Sequence, residues 1–299
     1  MIYKLQFKPL SPITSLPDSQ AIFGAFCDSY HIYHGKNGLE EFLEQLVKNK
    51  NLLFSSMFFD NTLPRPNNLV ASVNTTLTID EVKVMKKTKK IKYIEKDVYL
   101  EYLDNKELFC SNLSKRIGKD LIINDNYVLC NYNSPQKDLT RAEDVRVRNN
   151  KEDHNLFYNY VNYYSKESLF CVYLKADNID DINNVLLNNK FLSIGSKKSI
   201  GYNLFEYLGY EEEARLNNLN SGLLISKMLC DKRIDFHNSN YFIAMDCSKF
   251  NNNADTVFRK SKVCLLEGSI INSKELLGDI CIEKAINHNN YQYLLGFTI

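Results

Sequence analysis

Two glycines, two lysines and two serines lie within the seven-residue segment 195–201 of this 299-residue chain. Glycine allows a tight turn and brings backbone amides close to a ligand. The lysines and serines between the glycines add cationic and hydroxyl donors, which is the combination that holds a polyanion such as RNA phosphate. The opposing interpretation is a plain surface turn, and the segment alone does not decide between the two.

The spacing of this segment differs from two familiar phosphate-binding motifs. A P-loop ends in Gly-Lys-Ser/Thr, whereas here Lys198-Ser199 is followed by Ile200-Gly201 and has no glycine before the lysine. A dinucleotide fingerprint opens a helix, whereas a strand is predicted to follow this segment. The residues predicted to contact RNA here are Gly195, Ser196, Lys197, Lys198, Ser199, Ile200, Gly201 and Tyr202.

The composition is that of a folded protein with little net charge. Hydrophobic residues make up 44% of the chain, charged residues make up 24%, and the net charge is +1. A free-standing nucleic-acid binder is usually more basic. RNA binding by this chain would therefore need concentrated lysines, or other subunits that share the phosphate contacts.

Cysteine spacing and hydropathy limit which cellular compartment and which bound metals or cofactors the sequence can predict. The chain has 8 cysteines, and no two of them have C-x-x-C spacing, so no zinc site is predicted. They are interpreted as small buried residues in a reducing compartment. The first residues lack the apolar core of a signal peptide, and no stretch approaches the ~18 apolar residues of a membrane span. We expect a cytoplasmic protein with no membrane contact, no metal and no cofactor.

Apolar periodicity predicts strands and helices at both ends of the first 208 residues. The predicted elements there are a strand over 2–9, a helix capped by Asp18 or Ser19, a helix over 39–47, a strand over 52–59, a strand over 168–175, a helix over 179–188 and a strand over 202–208. Region 67–165 shows no regular pattern and is treated as an insertion. The order is then β-α-β followed by β-α-β, which is typical of ferredoxin-like or RNA-recognition folds. After residue 211 the same pattern predicts several short strands and little helix.

Basic residues inside the predicted insertion are candidates for weaker RNA contacts. Segment 83–92 carries 6 lysines and no acid. Such a run usually marks a solvated surface, and the opposing interpretation is an arm that faces a polyanion. On that interpretation Lys86 and Lys87 would contact RNA, and Arg146 and Arg148 would contact RNA or an acidic partner surface.

Two further predicted contacts each have a structural alternative. The start of the first helix, near Ser19, offers unpaired amides and the positive end of the helix dipole to a phosphate. An ordinary helix cap explains the same residues slightly better. Tyr202 would either stack on a base or pack within its own sheet, as tyrosine commonly does in strands.

Four features in chain order point to a known family. They are the helix start 18–25, the strand 54–58 leading to Leu-Pro-Arg-Pro at 63–66, the glycine segment with Tyr202, and a tail with segments 223–226 and 267–269, His288, Tyr293 and Gly296. Together they resemble Csm subunit four, the RAMP protein that caps the crRNA 5′ end in type III-A CRISPR effector complexes. The chain departs from that family at Gln20-Ala21, where threonine or a similar polar residue is usual, and in having only two glycines in the segment.

The resemblance implies an α+β fold of two RRM-like domains and a role in antiviral defence. The first domain would cover 1–210 with an insertion at about 67–165, and the second, strand-rich domain would cover 211–299. Family members bind the repeat-derived 5′ tag of crRNA, pair with the Cas ten-type large subunit, adjoin the backbone RAMP subunit (Csm subunit three) and meet target RNA through the complex. Their insertion typically includes a β-hairpin thumb that wedges into the guide–target duplex, expected here within 67–150.

No catalytic residue is predicted. Cleavage of RNA without a metal needs groups able to move protons, and only His31 and His34 are histidines close in sequence. Without a third group they are interpreted as a surface pair. Two alternatives stay open. One is a Cas six-type endoribonuclease, whose glycine-rich loop lies close to its C-terminus, whereas 98 residues follow Gly201 here. The other is a protein scaffold with an incidental lysine loop.

Overall fold

The computed structural model describes residues 1–70, 79–134, 139–149, 154–247, 260–273, 275–284 and 289–299, without the side chains of 79–81, 146–149, 154–157 and 284. The first elements are β1 Ile2–Pro9, α1 Ser19–Asn49, β2 Leu53–Phe59, β3 Thr62–Pro64, α2 Ile79–Thr88, β4 Tyr93–Glu95, α3 Lys96–Asp104, α4 Lys106–Arg116, β5 Leu121–Ile123 and β6 Val128–Asn131. They are followed by β7 Leu139–Asn149, β8 His154–Tyr164, β9 Phe170–Lys175, α5 Asp180–Asn188, β10 Phe191–Ser193, β11 Leu204–Glu212, α6 Ala214–Asn217, β12 Met228–Leu229, β13 Ile243–Asp246, β14 Lys262–Leu265, β15 Gly278–Lys284 and β16 Asn289–Leu295.

A five-stranded antiparallel sheet with strand order β10-β11-β1-β9-β2 forms the centre of the molecule. Strand side chains alternate between two faces, and both faces of β1 are largely buried, with Tyr3, Leu5 and Phe7 on one and Ile2 and Lys4 on the other. α1 and α5 pack on each other and on strands of this sheet. The β-α-β, β-α-β order predicted for the first 208 residues is therefore present, and β10 is an additional edge strand.

The two helical stretches predicted before residue 50 form one kinked helix. Asp18 caps α1, since its carboxylate accepts a hydrogen bond from the Ala21 amide at 2.9 Å. The kink lies at Gly35, whose φ of 76° is in the left-handed region that favours glycine. Phe26 and Phe42 lie on opposite sides of the kink and are in edge contact, so both parts bury their apolar faces in the same core.

The expectation that region 67–165 is irregular is wrong. Between 79 and 134 it contains three helices and three strands, and β3, β4, β6 and β5 form a second sheet. Ile94, Tyr99, Leu113 and Leu129 are fully buried there and belong to the same core as the central sheet. These elements are only 3–11 residues long, so a window long enough to detect periodicity also spans the lysine and asparagine turns between them.

A long β-hairpin, β7–β8, follows this sheet. Its register runs from Leu139 opposite Tyr164 to Asn149 opposite His154. The base is joined to the start of the chain, because Ile13 and Asn162 exchange two backbone hydrogen bonds of 2.9 Å. A short hairpin, β5–β6, lies inside the range 67–150, whereas the long hairpin β7–β8 extends beyond it to Tyr164, so the position of the thumb stays a prediction.

The C-terminal strands share a core with the central sheet. Tyr293 of β16 stacks on Phe23 of α1 at a ring-centroid distance of 4.5 Å. Its hydroxyl accepts from the Phe54 amide at 2.8 Å and donates to the Leu52 carbonyl at 3.1 Å. The strand-rich character predicted for 211–299 is present, and the division into two RRM-like domains stays a prediction. No helix in the described ranges is long and apolar enough to cross a membrane.

Candidate nucleic-acid interface

The glycine loop, residues 195–201, connects β10 to β11 and has a defined backbone shape. Gly195 and Gly201 have φ of 91° and 88°, and Lys197 is also left-handed at 61°. A short 3-10 helix, Lys198–Ile200, lies between them. The Ile194 amide donates to the Asn203 carbonyl at 3.0 Å and closes the loop at its base.

Asn203 holds the loop, and the sequence analysis missed it. Its buried side chain accepts from the Thr14 amide at 2.9 Å and donates to the Ser196 carbonyl at 3.1 Å. Its own φ is 57°, a conformation that asparagine tolerates better than most residues with a side chain. The only sequence signal was an asparagine two residues after a glycine, which is too common to single out.

Both lysines of the glycine loop are engaged by other parts of the chain. The Lys198 ammonium lies 3.3 Å from the Asp28 carboxylate of α1. The Lys197 ammonium donates a hydrogen bond to the Asn159 side chain of β8. An exposed ion pair of this kind contributes only about 0–1 kcal/mol, so a phosphate can displace Asp28 from Lys198.

The loop also presents backbone donors. The residues from Ser196 to Gly201 are exposed. Within the described part of the chain, the amides of Ser196, Lys197 and Ser199 donate to no protein acceptor. Consecutive amides of a turn with left-handed residues form a concavity that suits an anion. The backbone of the loop is therefore better placed to hold a phosphate than its lysine side chains are.

A groove of about 710 Å³ separates the glycine loop from the first half of α1. Its lining includes Lys198 and three acids, Asp18, Asp28 and Asp246. Each acid has a cationic partner, since Lys227 pairs with Asp18 at 3.4 Å and with Asp246 at 2.6 Å. Burial alone would lower the pKa of Lys227, but the two carboxylates outweigh it and raise that pKa above its usual value. Because two lysines face three carboxylates, the groove keeps a net negative charge.

The structure corrects the prediction for Tyr202. Its side chain is 2% exposed, and its hydroxyl donates a hydrogen bond to the Asp144 carboxylate of β7. No face of the ring is open to a base, so the alternative of packing within the protein applies. Tyr202 instead attaches the end of the glycine loop to the hairpin.

The structure also corrects the prediction for Ser19. The residue is 0% exposed, its amide donates to the Ser56 hydroxyl at 2.9 Å, and its hydroxyl accepts from the Lys227 amide at 3.1 Å. The carboxylate of Asp18 occupies the helix start, and a negative cap repels phosphate. The ordinary cap was the correct alternative, with Asp18 as the capping residue.

The weaker candidates lie apart from the glycine loop in the chain. Lys86 and Lys87 are exposed in the last turn of α2. Arg146 and Arg148 lie on β7, and their side chains are outside the described residues, as is His288. Lys86 and Lys87 are not among the described residues that line the groove beside the loop.

The histidine pair has a partner that the sequence did not indicate. His34 lies 3.2 Å from the carboxylate of Asp181 at the start of α5, and both side chains are partly exposed. His31 is exposed one turn earlier on α1. Among the described residues, no cluster of three or more histidine, cysteine, aspartate or glutamate side chains could hold a metal ion.

Comparison with known proteins gives matches to solved structures. Neither the protein-family models nor the curated proteins compared with the chain give a match. A chain of the Csm3–Csm4 subcomplex in the type III-A CRISPR-Cas interference complex matches with a TM-score of 0.68 and 16% identity, over 100% of this chain and 98% of that one. A chain of the Csm1–Csm4 cassette in complex with cA4 matches with a TM-score of 0.55 and 15% identity, over 100% and 97%.

The chain shares its fold with chains of the Csm3–Csm4 and Csm1–Csm4 complexes. Csm4 is the component that both matched complexes contain, and the cassette in complex with pppApA gives the same TM-score of 0.55. The likeness in fold extends along the whole length of the chain. This agrees with the resemblance seen in the sequence.

Proposed function

We propose that the chain is a non-catalytic RNA-binding subunit of a type III-A CRISPR-Cas interference complex. It binds and caps the 5′ repeat-derived tag of crRNA, docks the Cas ten-type large subunit and adjoins Csm subunit three, and it meets target RNA through the complex. The observation that carries the proposal is the end-to-end likeness to a chain of the Csm3–Csm4 subcomplex, at 100% and 98% coverage.

The proposal includes an architecture of two ferredoxin-like domains. The four strands β11-β1-β9-β2, with α1 and α5 as their connecting helices, have the strand order expected of the first domain. The proposed domain boundary near residue 210 lies just before β11 ends at Glu212. Tyr293 joins the two parts, so we expect them to unfold together.

The glycine loop is the part of the site that would hold the tag. A single-stranded tag needs phosphate contacts for position and base contacts for register. The exposed amides from Ser196 to Ser199 would serve one phosphate, with Lys198 turning from Asp28 toward the RNA. Base contacts must come from other residues, because Tyr202 is buried.

The hairpin β7–β8 is the candidate for the thumb. One of its faces exposes Val145, Tyr158 and Tyr160, at 49%, 56% and 77% of their surface. Val145 and Tyr158 are directly opposite in the hairpin register. Exposed aromatic rings on a rigid ladder can stack on unpaired bases, which is the contact that a wedge between guide and target would make.

Co-purification tests the proposed function. The tagged chain would be expressed together with the genes adjacent to its own, and the RNA that accompanies it would be sequenced. We expect short RNAs with one common 5′ end, together with a large subunit. Absence of both contradicts the assignment. Cleavage of repeat RNA by the purified chain alone would favour the endoribonuclease instead.

A further inference from the structure

A second pocket lies where the hairpin β7–β8 meets the end of β1. It has a volume of about 450 Å³, and its lining includes Lys8, Leu10, Ser11, Tyr163 and Lys166. We call it the hairpin-base pocket. Its volume falls within the ~300–1,000 Å³ of sites that bind small molecules, so it can accommodate one nucleotide.

The two lysines of the hairpin-base pocket carry charge that nothing in the described chain neutralises. Among the described residues, no carboxylate lies within ion-pair distance of Lys8 or Lys166. Glu206 is opposite Lys8 in the sheet register, but its carboxylate pairs with Lys190 at 3.2 Å. Two uncommitted ammonium groups on one pocket favour an anion.

The other side chains of the pocket suit a nucleotide rather than a simple anion. Tyr163 exposes 45% of its surface, which leaves a ring on which a base can stack. The Ser11 oxygen accepts a hydrogen bond from the Leu204 amide at 2.9 Å. Its own hydroxyl proton is therefore available to a phosphate oxygen. Leu10, 43% exposed, adds apolar surface.

The segment that forms this pocket also supports the glycine loop. Asn203, which holds the loop, donates its backbone amide to the Pro12 carbonyl at 3.0 Å. Thr14 binds the side chain of the same asparagine. Residues 9–14 therefore contact the glycine loop at one end and line the hairpin-base pocket at the other.

We propose that the hairpin-base pocket binds one nucleotide of single-stranded RNA, with its phosphate on Lys8 and Lys166 and its base on Tyr163. This site is additional to the glycine loop, and the inference rests on the proposed RNA-binding function. It gives the chain a base contact of the kind that the buried Tyr202 cannot make.

Binding measurements on the full chain test this pocket. The probe is a pool of random single-stranded RNA about 16 nucleotides long, the upper end of typical single-strand sites. The double variant Lys8→Ala, Lys166→Ala should bind about tenfold more weakly, and its salt dependence should fall by about 0.7 per lost phosphate contact. The control Lys119→Ala, Lys232→Ala removes two exposed lysines from outside both sites and should bind like the wild type.

Three further readouts separate the possible failures. With 4-thiouridine in the pool, the cross-link should map to Tyr163, and AMP alone should compete poorly if the ligand is RNA. If the Lys8→Ala, Lys166→Ala variant binds RNA as tightly as the wild type and the cross-link maps to a residue other than Tyr163, the proposed nucleotide site is wrong. If Lys197→Ala, Lys198→Ala still weakens binding in that case, the proposed function stands. If the wild type binds no RNA, both the nucleotide site and the proposed RNA-binding function are wrong.

Discussion

The glycine loop and the hairpin-base pocket each present two lysines, but these lysines differ in what they contact. In the loop, Lys198 pairs with Asp28 and Lys197 with Asn159. In the pocket, Lys8 and Lys166 have no ion-pair partner in the described part of the chain. A phosphate must displace a carboxylate at the loop, whereas at the pocket it meets uncommitted charge. The number of lysines in a segment is therefore a poor guide to how much positive charge is free to bind a phosphate.

The two regions also differ in how they are built. The loop has a fixed backbone with three left-handed residues between 195 and 201, closed by Asn203. The pocket has ordinary strand and turn backbone and depends on side chains. Backbone amides position a phosphate, and side chains supply charge and stacking. The comparison suggests that the loop fixes the register of the RNA and the pocket adds affinity.

Substitution of Asn203 is expected to have the largest effect, a loss of stability, because this residue connects the glycine loop to the segment that lines the hairpin-base pocket. Asn203→Ala removes the hydrogen bonds of a buried side chain to the Thr14 amide, the Thr14 hydroxyl and the Ser196 carbonyl, and places alanine at a φ of 57°. We expect a loss of about 2–4 kcal/mol in the free energy of unfolding, measured by urea denaturation. Asn203→Gly removes the same bonds without the strain and should recover about 1 kcal/mol. Equal stability of the wild type and both variants would show that the residue does not hold the loop.

The next effect separates the two tyrosines. Tyr163→Ala should weaken RNA binding by about fivefold or more, because it removes the stacking surface, and Tyr163→Phe should bind like the wild type. Tyr202→Phe removes the hydroxyl that donates to Asp144 and keeps the buried ring, so it should cost about 1 kcal/mol of stability with little change in affinity. Filter binding and thermal unfolding measure the two quantities. If Tyr202→Phe weakens RNA binding and Tyr163→Ala does not, the base contact lies at the glycine loop and not in the hairpin-base pocket.

The smallest effect tests the competition at the loop. Asp28→Asn releases Lys198 and should strengthen RNA binding by about two- to threefold at low salt, less as salt rises. Glu44→Gln is the matched control, since Glu44 is an exposed acid on the same helix and does not line the groove. The same gain in both variants would indicate a general charge effect rather than competition between Asp28 and phosphate.

The strands of the central sheet and the first helix start could be predicted because their signals are local. Alternation in β1 and the capping aspartate before α1 are complete within a few residues. The contacts that decide the site are not local. Asp28 is 170 residues from Lys198, and Asn203 is 189 residues from Thr14. The Tyr202 hydroxyl is bound by Asp144 of the hairpin, and the hairpin lies in a region where the sequence showed no regular pattern.

The resemblance to the RAMP family predicted more of the molecule than any single motif did. It depends on an ordered set of weak features over nearly the whole chain, and the end-to-end structural likeness agrees with it. Ser19 shows the limit of such reasoning. A residue at a helix start is available to a ligand only if nothing else covers it, and here Ser56 and Lys227 do.

Cross-linking of the co-purified RNA tests the central claim most directly. The purified complex would be irradiated and digested, and the peptides bound to the 5′-terminal nucleotides identified by mass spectrometry. The account predicts that these nucleotides are attached to the peptide that carries residues 195–201. If the chain is present in the complex but its RNA 5′ end is attached only to other subunits, or only to peptides of this chain that lack residues 195–201, the claim that the glycine loop holds the tag is wrong.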